Sequence, residues 1–201
     1  MASETVKASD GSAEWIKSGG GPLICMERTL VHQWRGVEGS STAAALAEGY
    51  ANDYQMACSV QDYLGVIELD SGNALILGDM PLETRTWHCK DGFFSIVRIF
   101  YADPDVDVIQ LLEDAGDIDA MDSVESVDVE IKTGELVLFD SAYPGWDMGD
   151  MHLFFNIPPG KYTIITKQCE PDDRTSVLIH QFGSPQIVSM ATSALPSPLS
   201  R

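Results

Sequence analysis

The segment Asp62–Asp79, D-Y-L-G-V-I-E-L-D-S-G-N-A-L-I-L-G-D, constrains the fold more than any other part of the chain. Two apolar runs, Tyr63–Leu69 and Ala74–Leu77, are joined by Asp70-Ser71-Gly72-Asn73. Asp, Ser and Asn side chains bond back to nearby backbone, and Gly accepts dihedrals closed to other residues. Four such residues between two apolar runs therefore predict a β-hairpin. Leu64, Val66, Ile67, Leu75, Ile76 and Leu77 do not alternate with polar residues, so they would point to both faces of a sheet. Strands of that kind are covered on both sides, which predicts a central place for the hairpin.

The rest of the chain supplies more strands than helices. Trp15–Lys17 and Leu23–Met26 read as strands either side of the glycine turn Ser18–Pro22. No Gly-Lys-Ser/Thr follows those glycines and no helical pattern starts there, so they are not a phosphate-binding loop. Thr29–Trp34 reads as a strand with Leu30, His32 and Trp34 on one face. From Ser41 or Thr42 to Cys58 the composition is helical, with either residue as N-cap and Gly49 as a possible break. Arg85–Cys89 and Phe93–Tyr101 are strand-like. Asp103-Pro104 reads as an N-cap with proline at the first helical position, followed by the stripe Val106, Ile109, Leu112. Leu136–Asp140, His152–Ile157, Tyr162–Lys167 and Ser176–Phe182 follow, separated by short turns. Nine or ten strands and two or three short helices make a β-rich α+β chain built mainly of antiparallel sheet. Residues 1–12 and 184–201 are expected to be flexible tails flanking a single domain over 13–183.

Charge narrows the function. Twelve basic against thirty-one acidic residues leave a net charge of −19. Nucleic acid and anionic lipid present phosphates that require Lys and Arg, so both are unfavourable partners. A basic protein would be attracted, with a strong salt dependence, although an acidic surface also serves plain solubility. The first residues lack an apolar stretch and no window approaches a membrane span, so a cytoplasmic protein is expected. Cys25, Cys58, Cys89 and Cys169 are far apart and are expected to be reduced thiols.

No catalytic motif emerges. His32, His88, His152 and His180 lie on separate segments without H-x-H or H-E-x-x-H spacing, and there is no G-x-S-x-G. No cofactor or metal is therefore expected. Two stretches could contact a partner. The acidic run Glu113, Asp114, Asp117, Asp119, Asp122 and Glu125, continuing to Asp128 and Glu130, contains no Lys or Arg. It reads equally as a solvated, mobile segment and as a mimic of polyanion charge; it lacks the ligand order of a calcium loop. The loop Ser141–Asp150 carries Tyr143, Trp146, Asp147 and Asp150. It could serve a protein interface, or a small-molecule or carbohydrate site on a β-rich module.

Several stretches resemble the immunity protein 21 family of bacterial polymorphic-toxin loci. They are Trp15-Ile16-x-Ser18-Gly19-Gly20-Gly21-Pro22-Leu23-Ile24, Trp34-x-Gly36, and Asp53-Tyr54-x-x-Ala57-Cys58 running into Asp62-Tyr63-Leu64-Gly65-Val66. Ala74-Leu75-Ile76-Leu77-Gly78-Asp79-x-Pro81 and Ile157-Pro158-Pro159-Gly160-Lys161-Tyr162 complete the set. The likeness is clearest over about 15–100. It implies a non-catalytic protein that binds and blocks a cognate toxin, and it brings no catalytic residues. A nuclease toxin, with a basic phosphate-gripping cleft, would suit the acidic charge.

Overall fold

A computed structural model describes residues 14–40, 43–78, 83–89, 93–116 and 118–186, with backbone alone at 43, 44 and 119. Ten strands lie among them: β1 Leu23–Glu27, β2 Leu64–Leu69, β3 Gly72–Leu77, β4 Glu83–His88, β5 Phe94–Ala102, β6 Ser123–Ile131, β7 Glu135–Asp140, β8 His152–Asn156, β9 Gly160–Asp172 and β10 Thr175–Phe182. Three short helices accompany them: α1 Ala43–Glu48, α2 Asp53–Cys58 and α3 Val108–Asp114. The chain is β-rich α+β, with two antiparallel five-stranded sheets, as the turn-separated runs predict. The first sheet has the order β2-β3-β1-β7-β8 and the second β4-β5-β10-β9-β6. No helix of the described residues is long and apolar enough to cross a membrane.

Each sheet is covered on both faces. Along β1, Leu23 and Cys25 point to the space between the sheets, and Ile24 and Met26 to the outer side. This period-2 division explains a strand with no polar position before Glu27. The shared core joins Leu23, Leu75, Leu77 and Leu138 to Phe94, Ile96, Ile164 and Phe182. Trp34, Ala45, Met56 and Ala57 cover the outer face of the first sheet over Ile24, Ile76 and Phe139. Val108 and Leu112 of α3, with Ile118, cover the second over Val97, Val177 and Ile179.

Strands of one sheet run across those of the other. Phe94 at the start of β5 stacks on Phe155 of β8 at 4.9 Å. Farther along, Arg98 donates to Gly78 O at 3.2 Å, and Phe100 meets Tyr63 edge-on at 5.9 Å. β5 thus travels from one edge of the first sheet to the other, an orthogonal type of sandwich. At the β2 end the filling turns polar. Arg98 and His180 are buried, and His180 Nδ1 lies 2.9 Å from Thr166 Oγ1.

The hairpin forms with Leu64 opposite Leu77 and Leu69 opposite Gly72. Its turn shrinks to Asp70-Ser71, because Gly72 and Asn73 join β3. It is not central: β2 is an edge strand, and the middle of the sheet is β1. Its two-sided apolar character comes from the orthogonal second sheet below and α2 above, not from strand neighbours on both sides.

Other expectations change too. Trp15–Lys17 is no strand; only Ile16 makes a bridge, to Thr84. Thr29–Trp34 is a turn and a 3-10 helix at Val31–Gln33. Leu30 and Trp34, four apart, are both buried, the spacing of a helical turn. The Ser41–Cys58 segment divides at Gly49 into α1 and α2, and Asn52 caps α2 by accepting from Gln55 N at 2.9 Å. The Ser41 and Thr42 caps lie outside the described residues. The third helix begins only at Val108, capped by Asp107 rather than Asp103. Asp103 and Asp105 instead each hold Arg174 at 2.6 Å. Of the proposed tails, residues 1–12 and 187–201 lie outside the described residues, and Gln186 pairs with Lys161.

Candidate functional site

The loop between β7 and β8 is held by main-chain bonds and by the side chains of Trp34, Asp140 and Ser141. Val37 N donates to Ala142 O at 3.0 Å, and Gly145 N to Trp34 O at 2.9 Å. The buried indole of Trp34 donates to Ser141 O at 2.8 Å, and Ser141 Oγ to Pro22 O at 2.6 Å. Asp140 accepts from Gly19 N at 2.7 Å and from Ala142 N at 2.9 Å. Gly36 is required here. Its φ is +56°, and a Cβ would lie 2.7 Å from the carbonyl carbon of Tyr143. The Trp34-x-Gly36 pair therefore seats this loop, and Tyr143, Trp146, Asp147 and Asp150 face solvent from a fixed backbone.

The acidic run has a different support. Glu113 and Asp114 close α3, where the helix dipole disfavours negative charge and the last turn itself carries no basic residue. Asp114 accepts from Gln110 Nε2 at 3.0 Å. Asp117 lies outside the described residues, and only the backbone of Asp119 is described, in a 3-10 turn over Ile118–Ala120. That turn is anchored, since Ile118 is buried and the equally buried Lys167 donates from Nζ to Ile118 O at 2.8 Å. Asp122 is exposed. Glu125 is half-buried and turns inward towards Thr166 and the backbone N–H groups of Tyr63 and Leu64. Burial pushes its carboxyl above the usual range, with Asp62 adding to the effect. Glu125 clamps the β6 edge to the start of β2.

The described residues among the ten sequence-selected ones therefore fall into two groups on different sheets. Glu113, Asp114 and the Ile118–Ala120 turn sit with α3 on the outside of the second sheet, Glu125 turns inward from β6, and the aromatic loop lies on the outside of the first. Val37 bonds to that loop, and Phe154 of β8, with Arg28 over its ring, follows it in the hairpin; all three were missed. The signal for Phe154 was present in the alternation His152-x-Phe154-x-Asn156, which a run of three apolar neighbours obscured. Two grooves lie elsewhere. One of ≈ 370 Å³ is bordered by Asp128, Lys161 and Thr163, and one of ≈ 490 Å³ by Trp15, Arg85 and Asp107. Tyr143 and Trp146 line neither. Among the described residues no three His, Cys, Asp or Glu side chains group as metal ligands.

A family model described as Immunity protein 21 matches residues 14–175. No curated protein and no solved structure matches the chain.

Proposed function

The chain belongs to the immunity protein 21 family, and from that membership we propose that it binds and neutralises a cognate toxin without catalysing a reaction. The match over residues 14–175 carries this reading. Charge supports its form. A surface of net charge −19 favours a basic partner, steers the encounter and makes it sensitive to salt. A toxin that grips phosphate, such as a nuclease, has a basic cleft of the kind such a surface would fill. The acidic residues available for this are Glu113, Asp114, Asp117, Asp119, Asp122, Asp147 and Asp150. The cell interior is the compartment where such protection would operate.

Co-expression with the product of the neighbouring gene tests the proposal. Rescue of growth, with a complex that weakens as salt rises, is the expected outcome. Neutralising Asp117, Asp119 and Asp122 together should flatten that salt dependence. An unchanged affinity and slope would remove the acidic run from the interface. Persistent toxicity with no complex would remove the toxin-binding reading itself.

A further inference from the structure

The aromatic loop is one end of a larger continuous surface. Val37 bonds beneath Tyr143 through Ala142, and the Tyr143 ring lies over Gly149. The Gly149 carbonyl is 2.9 Å from His152 Nδ1, and the His152 ring meets Phe154 at 5.0 Å. The Arg28 guanidinium covers Phe154 from 4.9 Å and pairs with Glu135 at 3.8 Å. Val37, Tyr143, Trp146 and Phe154 are 53, 47, 59 and 53% exposed. Large apolar groups grouped beside an edge strand are a liability unless a partner covers them. Trp and Tyr on a fixed backbone lose little freedom on binding, and such residues dominate the energy of interfaces.

We propose that this face, centred on Trp146 and Phe154, is where the chain contacts a basic toxin domain; the inference rests on the toxin-binding reading and adds its location. The rim decides the occupant. Glu38, Asp147 and Asp150 are exposed around the apolar centre, and Arg28 is already paired with Glu135. A second copy would bring the same carboxylates and another net charge of −19 against them. A basic protein instead gains from the rim while its apolar groups cover the centre. The two grooves of the described residues are bordered by other side chains.

Trp146→Ala, Phe154→Ala and the double variant, with Asp173→Asn in the exposed β9–β10 turn of the other sheet as a control, test the location. The probe is the toxin domain encoded beside this chain's gene, titrated at low and high salt, with unfolding midpoints measured in parallel. Trp146→Ala and Phe154→Ala should each weaken binding by about 30-fold or more while the midpoint stays near wild type. A double variant that binds within about three-fold of wild type overturns the location and leaves the toxin reading standing. A wild-type chain that forms no complex overturns both. Self-association in sedimentation that Trp146→Ala abolishes would assign the face to a second copy and overturn the proposed occupant.

Discussion

Gly21 and Tyr54 share one volume. A Cβ on Gly21 would lie 2.8 Å from Tyr54 Cε2 and closer still to its hydroxyl. The glycine turn before β1 and helix α2, more than thirty residues apart, are thereby pressed together at a contact that admits no side chain. Gly21→Ala should cost about 1–3 kcal/mol in urea unfolding. Pairing it with Tyr54→Ala should cost less than the sum of the two single changes, because the double variant removes the overlap. Additivity would mean that the backbone shifts freely.

Glu27, buried at the end of β1, accepts from the backbone N of Lys132 at 3.0 Å, the hydroxyl of Thr133 at 2.6 Å and the backbone N of Thr133. One carboxylate thus holds the turn between β6 and β7. Glu27→Ala should lose about 2–3 kcal/mol, the range for bonds to a charged acceptor. Thermal or urea unfolding checks it.

His180 makes stability depend on pH. Burial, reinforced by Arg98, lowers its pKa from 6.5 to about 3. Between those values the unfolded chain binds the proton and the folded chain does not. The contribution is complete above pH 6.5 and is lost as pH falls towards about 3, by at most about 1.4 kcal/mol per pH unit. Arg98, Thr166 and Glu125 are its polar neighbours on the same sheet, and the raised pKa of Glu125 acts in the opposite sense. His180→Asn should flatten the stability profile in that window, measured by urea titration at several pH values. A slope equal to wild type would assign the acid sensitivity to the carboxylates.

Lys167 secures the acidic run from below. Lys167→Met removes the bond to Ile118 O and should speed hydrogen exchange at the amides of 118–122, at a cost of about 1–3 kcal/mol. Unchanged protection there would mean that the apolar seat of Ile118 alone holds the turn.

Strand positions were legible wherever apolar residues formed runs bounded by Gly, Pro, Asp or Asn, as in Phe94–Ala102 and Thr175–Phe182. Sheet order was not. β1 pairs with β7 across more than a hundred residues, and this long-range pairing, rather than the hairpin's own composition, leaves β2 at the edge. Asp103-Pro104 misled because the carboxylate that would cap a helix is taken by Arg174, seventy-one residues away. Tyr143 and Trp146 stood out beside Pro144 and Gly145, but Val37 reaches that loop only through a main-chain bond to Ala142, more than a hundred residues away. Glu125 was counted with an outward-facing run because the bulge between Ser123 and Glu125, which resets the alternation, has no mark in the residues themselves.

The bonds that seat the β7–β8 loop involve Ala142 O, Gly145 N, Ser141 O, the Ser141 hydroxyl and the Asp140 carboxylate, and none uses the side chain of residue 143, 146, 147 or 150. Residues 143, 146, 147 and 150 can therefore be exchanged without disturbing how the loop is mounted. An inhibitor whose target drifts can follow it by rewriting a few letters on a mount that stays the same.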